Sequence, residues 1–117
     1  MPYINTKTNI SISKEKEIAL KEKLGKAIET IPGKSEVWLM LSFEDNCRMY
    51  FKGNGENSMA YIEVKVFGQI SEKASQDMTK VLMDIYEKEL GIDKSQIYIK
   101  YESVEYWGQT SNCDVSE

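Results

Sequence analysis

At 117 residues the chain has room for one hydrophobic core, and its 41% hydrophobic and 29% charged residues give an ordinary globular composition. A net charge of −4, with lysines interleaved among glutamates as in Lys14-Glu15-Lys16-Glu17, argues against binding of a nucleic-acid backbone. The absence of histidine argues against the usual zinc sites, and no apolar stretch reaches the length of a membrane span.

Tyr3 to Asn9 reads as a strand. Ser13 supplies half of a capping signal, and Ile18, Ala19, Leu24, Ala27 and Ile28 follow at helical spacing until Pro32-Gly33 stops the helix. Val37 to Phe43 is nearly continuous in apolar residues, the pattern of a strand covered on both faces. Met49-Tyr50-Phe51 reads as a short edge strand, and Gly53 to Asn57 as a loop. Met59 to Phe67 alternates like a strand. Ser71 opens a second helix with Met78, Val81, Leu82, Ile85 and Leu90 on its apolar side, and Gly91 ends it. Gln96 to Tyr101 is a last strand, and residues 102–117 form a polar tail containing Trp107.

The two halves match. Tyr3-Ile4 and Lys7 answer Tyr61-Ile62 and Lys65, Ile12-Ser13 answers Ile70-Ser71, and Leu24 answers Leu82. Lys34-Ser35 is then set against Lys94-Ser95, with Val37-Trp38-Leu39 against Ile97-Tyr98-Ile99. A duplicated β-α-β unit has this form, with units 2–51 and 59–101 in a single domain. Each unit pairs two parallel strands through a right-handed helical crossover. The predicted fold class is therefore α/β in the two-layer sense: a four-stranded mixed sheet with two helices on one face. The other face is left uncovered, and the run Trp38 to Leu41 predicts that it is apolar there. Such a face needs a partner, so an oligomer is expected, with a dimer as the statistical default.

Cys47 and Cys113 have no CxxC spacing and read as free thiols without a role. The start of the chain has neither a basic nor an apolar leader region, so a soluble cytoplasmic protein is expected, although leaderless export leaves no trace in a sequence.

Several features fall in one register. They are Pro2 directly after Met1, the duplicated unit, Gly33-Lys34 after the first helix, Val66-Phe67-Gly68 at the end of the third strand, Ile97-Tyr98-Ile99 in the fourth, and Trp107-Gly108 in the tail. Over nearly the whole chain this resembles the macrophage migration inhibitory factor family of the tautomerase superfamily. The resemblance implies a homotrimer whose three sheets form a barrel around a solvent channel. It also implies keto-enol tautomerase activity on phenylpyruvate-like α-keto acids, in pockets between subunits and without a cofactor or a metal. Carried over residue by residue, Pro2 stands at the catalytic base and Lys34 at the lysine that neutralises the substrate carboxylate. Phe67 stands at a pocket position where the family usually has isoleucine, and Tyr98 at the pocket tyrosine contributed by the neighbouring subunit. Lys100 occupies a position often held by asparagine, and Gln109 one where an aromatic residue usually forms the rim. The CxxC associated with thiol chemistry is absent, since Asn57-Ser58-Met59-Ala60 stands there.

The chemistry suits these residue types. An α-amino group titrates near ~8, and an apolar pocket lowers that further, so a buried Pro2 amine is a base at neutral pH once Met1 is removed. Lys34 or Lys100 offers a point charge for a carboxylate, Tyr98 a hydrogen-bond donor, and Phe67, Tyr3 and Trp38 an apolar wall. Each residue also has a plainer reading. Pro2 is a strand-leading proline, Lys34 a turn lysine like its repeat partner Lys94, Tyr98 a strand aromatic, Phe67 a core residue and Lys100 a solvated one. Two further functions compete. One is a non-catalytic signalling or binding protein on the same scaffold, with a protein receptor if it is secreted. The other is dehalogenation or decarboxylation, disfavoured because the only arginine is Arg48 in a predicted loop.

Overall fold

A computed structural model describes residues 1–110. Cys113 lies outside the described residues. Strand β1 (Pro2–Thr8) is central. It pairs in parallel with β2 (Met40–Glu44) and antiparallel with β3 (Ala60–Phe67). Strand β3 pairs in parallel with β4 (Ile97–Val104), giving the order β2-β1-β3-β4. Helix α1 (Lys14–Ala27) joins β1 to β2, and α2 (Glu72–Leu90) joins β3 to β4. The duplicated β-α-β architecture is the one expected. Among the described residues, no helix is long and apolar enough to cross a membrane.

Local chemistry explains the helix boundaries. The Ser13 hydroxyl accepts the Lys16 amide at 3.1 Å and the Ser71 hydroxyl accepts that of Ala74 at 3.0 Å, so each helix starts on a serine cap. Helix α2 ends where Gly91 turns left-handed at φ +67° and donates its amide to Glu87. Helix α1 tightens into a 3-10 turn at Ile28–Thr30 before Pro32 and Gly33, the latter at φ +82°.

The core lies between the helices and one face of the sheet. Ile4, Ile62, Val64 and Val66 meet Leu20, Leu24, Met78 and Leu82, all without solvent exposure. Each such side chain contributes about 1.5–3 kcal/mol of burial. Two buried hydroxyl contacts lie within it: the Tyr86 hydroxyl is 2.5 Å from that of Thr6, fastening α2 to β1, and the Thr8 hydroxyl donates to the Met59 carbonyl at 2.7 Å. Burial pushes the Tyr86 phenol well above its usual range.

Three expectations need correction. The strand expected over Val37 to Phe43 is shorter, because Glu36–Trp38 forms a 3-10 turn and β2 begins only at Met40. Val37 is 83% exposed, so continuous hydrophobicity there does not mean burial on both faces. The edge strand expected at Met49 to Phe51 is absent, and the only pairing there is a bridge between Phe51 and Asn54. The uncovered face is apolar at Met40, which is 67% exposed as the run Trp38 to Leu41 predicts, and it carries Tyr61 and Tyr98 towards the other end. Between them it is polar, with Asn5 and Lys7 of β1, Ser42 and Glu44 of β2, Glu63 and Lys65 of β3, and Lys100 and Glu102 of β4. Tyr3, Ser42, Asn5 and Glu44 form a hydrogen-bonded chain at 2.6, 2.5 and 2.9 Å. Strand β4 also runs to Val104, into the stretch read as tail.

Candidate functional site

The pairing corrects the repeat. Tyr3 faces Met40 and Tyr61 faces Tyr98, so the shift of 58 residues that carries Tyr3 onto Tyr61 also carries Met40 onto Tyr98. The same shift carries the 3-10 turn Glu36–Trp38 onto Lys94–Gln96, and left-handed Gly33 onto left-handed Gly91. Lys34 therefore corresponds to Ile92, not to Lys94, and Pro2 to Ala60. Lys94 is engaged elsewhere, in ion pairs with Asp84 and Glu87. The two units differ at Pro2 and Lys34, whose counterparts are Ala60 and Ile92.

Those two residues converge on the end of β3. Pro2 opens the central strand one residue before the pairing with β2 begins at Tyr3, so its missing amide costs no bond to that strand. It pairs with Val66, and beyond it the Phe67 amide donates to the Met1 carbonyl at 3.1 Å. The Lys34 ammonium donates to the Phe67 carbonyl at 2.9 Å. Met1 is 3% exposed. Burial, reinforced by the Lys34 charge, lowers its terminal amine from an ordinary value of 8.0 to about 5. Burial lowers the Lys34 ammonium too. One end of the sheet thus gathers a buried amine, a cation and a backbone amide donor. Sequence reasoning named Phe67 for its side chain, whereas its main chain is what ties Met1 and Lys34 together.

Tyr98 and Lys100 lie elsewhere on the chain. Tyr98 faces Tyr61, which faces Lys7, whereas Pro2 faces Val66. The separation from Val66 back to Tyr61 is roughly 16 Å along the strands, with two strand spacings of about 5 Å each across the sheet. Tyr98 is 61% exposed and its ring meets Phe51 edge-on. Lys100 lies beside Glu63 in register and 3.6 Å from Glu102, so carboxylates already balance its charge. No single chain brings Pro2 and Tyr98 together.

A family model described as macrophage migration inhibitory factor matches residues 1–115. The chain belongs to the macrophage migration inhibitory factor family. Solved structures of the family agree in fold. MIF2 of Leishmania major is 26% identical, with 97% of each chain covered and a TM-score of 0.89. A homologue from Prochlorococcus marinus is 27% identical, with 97% of this chain and 99% of the other covered and a TM-score of 0.79. The family protein of Toxoplasma gondii is 20% identical over 95% and 98%, with a TM-score of 0.86. A comparison with curated proteins gives no match.

Proposed function

We propose that the processed chain is a keto-enol tautomerase of phenylpyruvate-like α-keto acids, with Pro2 as the base. The observation that carries this reading is the Met1–Phe67–Lys34 junction. Removing Met1 turns the Pro2 nitrogen from an amide into a secondary amine and takes an acceptor away from the Phe67 amide. A substrate carboxylate in that place accepts from the Phe67 amide and pairs with Lys34. Pro2 is buried and its end of the strand lies beside the Lys34 cation, and both disfavour the charged form of the freed amine. It then takes the proton from the carbon beside the keto group. The C–H pair becomes the C=C bond, the carbonyl electrons move to oxygen, and a solvent proton neutralises that oxygen. The reverse reaction returns the Pro2 proton to carbon.

The distance between Pro2 and Tyr98 favours a shared site. Tyr98 reaches a Pro2 only on another copy, as in the homotrimer that the family resemblance implies, with the uncovered sheet faces turned to a central channel. Intact mass and enol-ketone conversion of phenylpyruvate, read on one sample, test the proposal. Conversion in the Met1-free protein, lost in Pro2→Ala, supports it. A Met1-free protein without conversion overturns it and leaves the scaffold to a binding role.

A further inference from the structure

We infer that Phe51 is a positioning residue that holds the Tyr98 ring for substrate, an inference that rests on the tautomerase reading above. Tyr98 sits on an edge strand and on the uncovered face, 61% exposed and beside Tyr61 in register. Its constraint comes from the Phe51 ring, with centroids 4.8 Å apart and planes at 79°. That edge-to-face geometry is directional, unlike simple apolar contact.

The loop that carries Phe51 is built tightly. The Phe51 amide donates to the Asn54 carbonyl and the Asn54 amide to the Phe51 carbonyl, both at 3.0 Å. Between them Lys52 and Gly53 have φ values of +55° and +76°, which is a two-residue hairpin turn. Glycine adopts that conformation freely, but lysine does not, so the turn keeps a strained residue. The Lys52 ammonium lies 5.3 Å from the centre of the Phe51 ring, restricting the ring further. The two aromatic rings border a hollow of about 170 Å³ with Tyr50, Met59 and Tyr61, open at the surface where a second copy must approach for Tyr98 to reach its Pro2. The left-handed turn, the cation over the ring and the edge-to-face contact together set the Phe51 ring against Tyr98.

The test uses Met1-free full-length protein and the phenylpyruvate assay. Phe51→Leu is expected to raise KM roughly 2- to 10-fold, the range an edge-to-face pair supports, with kcat and the acid limb of the pH profile unchanged. Phe51→Tyr is expected to restore KM, and Phe51→Leu is expected to add nothing in a Tyr98→Ala background. Should leucine weaken the loop, Phe51→Met removes the ring at similar volume and reads the same way. An unchanged KM in Phe51→Leu, a shifted acid limb, or an effect that adds to that of Tyr98→Ala overturns the inference while leaving Pro2 as base. Absence of turnover in the parent protein overturns both.

Discussion

A buried amine beside a lysine is unstable as a cation, and the N-terminus of this chain is such an amine. While Met1 is attached, its amine is protonated in the unfolded chain below pH 8.0 but neutral in the folded chain down to about 5. The unfolded state therefore binds more protons between these values, so stability is full above pH 8 and declines as pH falls towards 5. Chemical denaturation of the Met1-bearing protein across that window is expected to show the decline, and N-terminal acetylation to abolish it. In the Met1-free protein the Lys34 charge opposes protonation of Pro2. Lys34→Gln is expected to move the acid limb of kcat/KM to higher pH and to lower kcat/KM roughly 10- to 100-fold, as loss of a hydrogen bond to a charged group does. A pH-rate series on the two proteins checks both effects. Neither effect is expected for Lys100→Gln, because Glu102 and Glu63 already answer that charge.

At the scale of elements, the two left-handed glycines show how a repeat diverges. Gly33 and Gly91 occupy equivalent turns after the two helices, and nothing lies within 4 Å of a side chain added at either. Alanine is therefore opposed by conformation alone, and each substitution is expected to cost about 1 kcal/mol in urea unfolding. Their effects on function should differ. Gly33→Ala disturbs the residue next to Lys34 and is expected to reduce turnover, whereas Gly91→Ala, next to buried Ile92, is expected to leave it intact. Both helices, their serine caps and the four main strands were legible in the sequence, because periodicity, capping residues and glycine stops are local signals. The 3-10 turn at Glu36–Trp38 was not, since an apolar run has no period to separate a strand from a tight turn. It was this turn that hid the constant shift between the units and made Lys94 look like the partner of Lys34.

Over the whole molecule, the sheet divides the residues expected at the site. Pro2, Lys34 and Phe67 meet at one end, while Tyr98 lies near the other. If the site is shared between copies, mixing Pro2→Ala chains with Tyr98→Ala chains and allowing reassembly is expected to recover part of the activity, because some mixed sites contain both native residues. Mixing Pro2→Ala with Lys34→Ala chains is expected to recover far less, since both lesions fall on the same side of the shared site. Activity assays before and after co-refolding separate these outcomes.

The sequence alone determined the duplicated β-α-β fold, the family, and the residues set apart by type, because these depend on local spacing and on order along one chain. The tertiary structure decided how they are used. Strand pairing, which joins residues far apart in the chain, showed that the counterpart of Lys34 in the second unit is the apolar Ile92 and not Lys94. A hydrogen-bond ladder running one step past Pro2 made the Phe67 main chain part of the site. Which side of a strand a residue occupies depends on where that strand begins, so the start of β2 at Met40 sets Met40, Ser42 and Glu44 on the uncovered face and makes that face mixed rather than uniformly apolar.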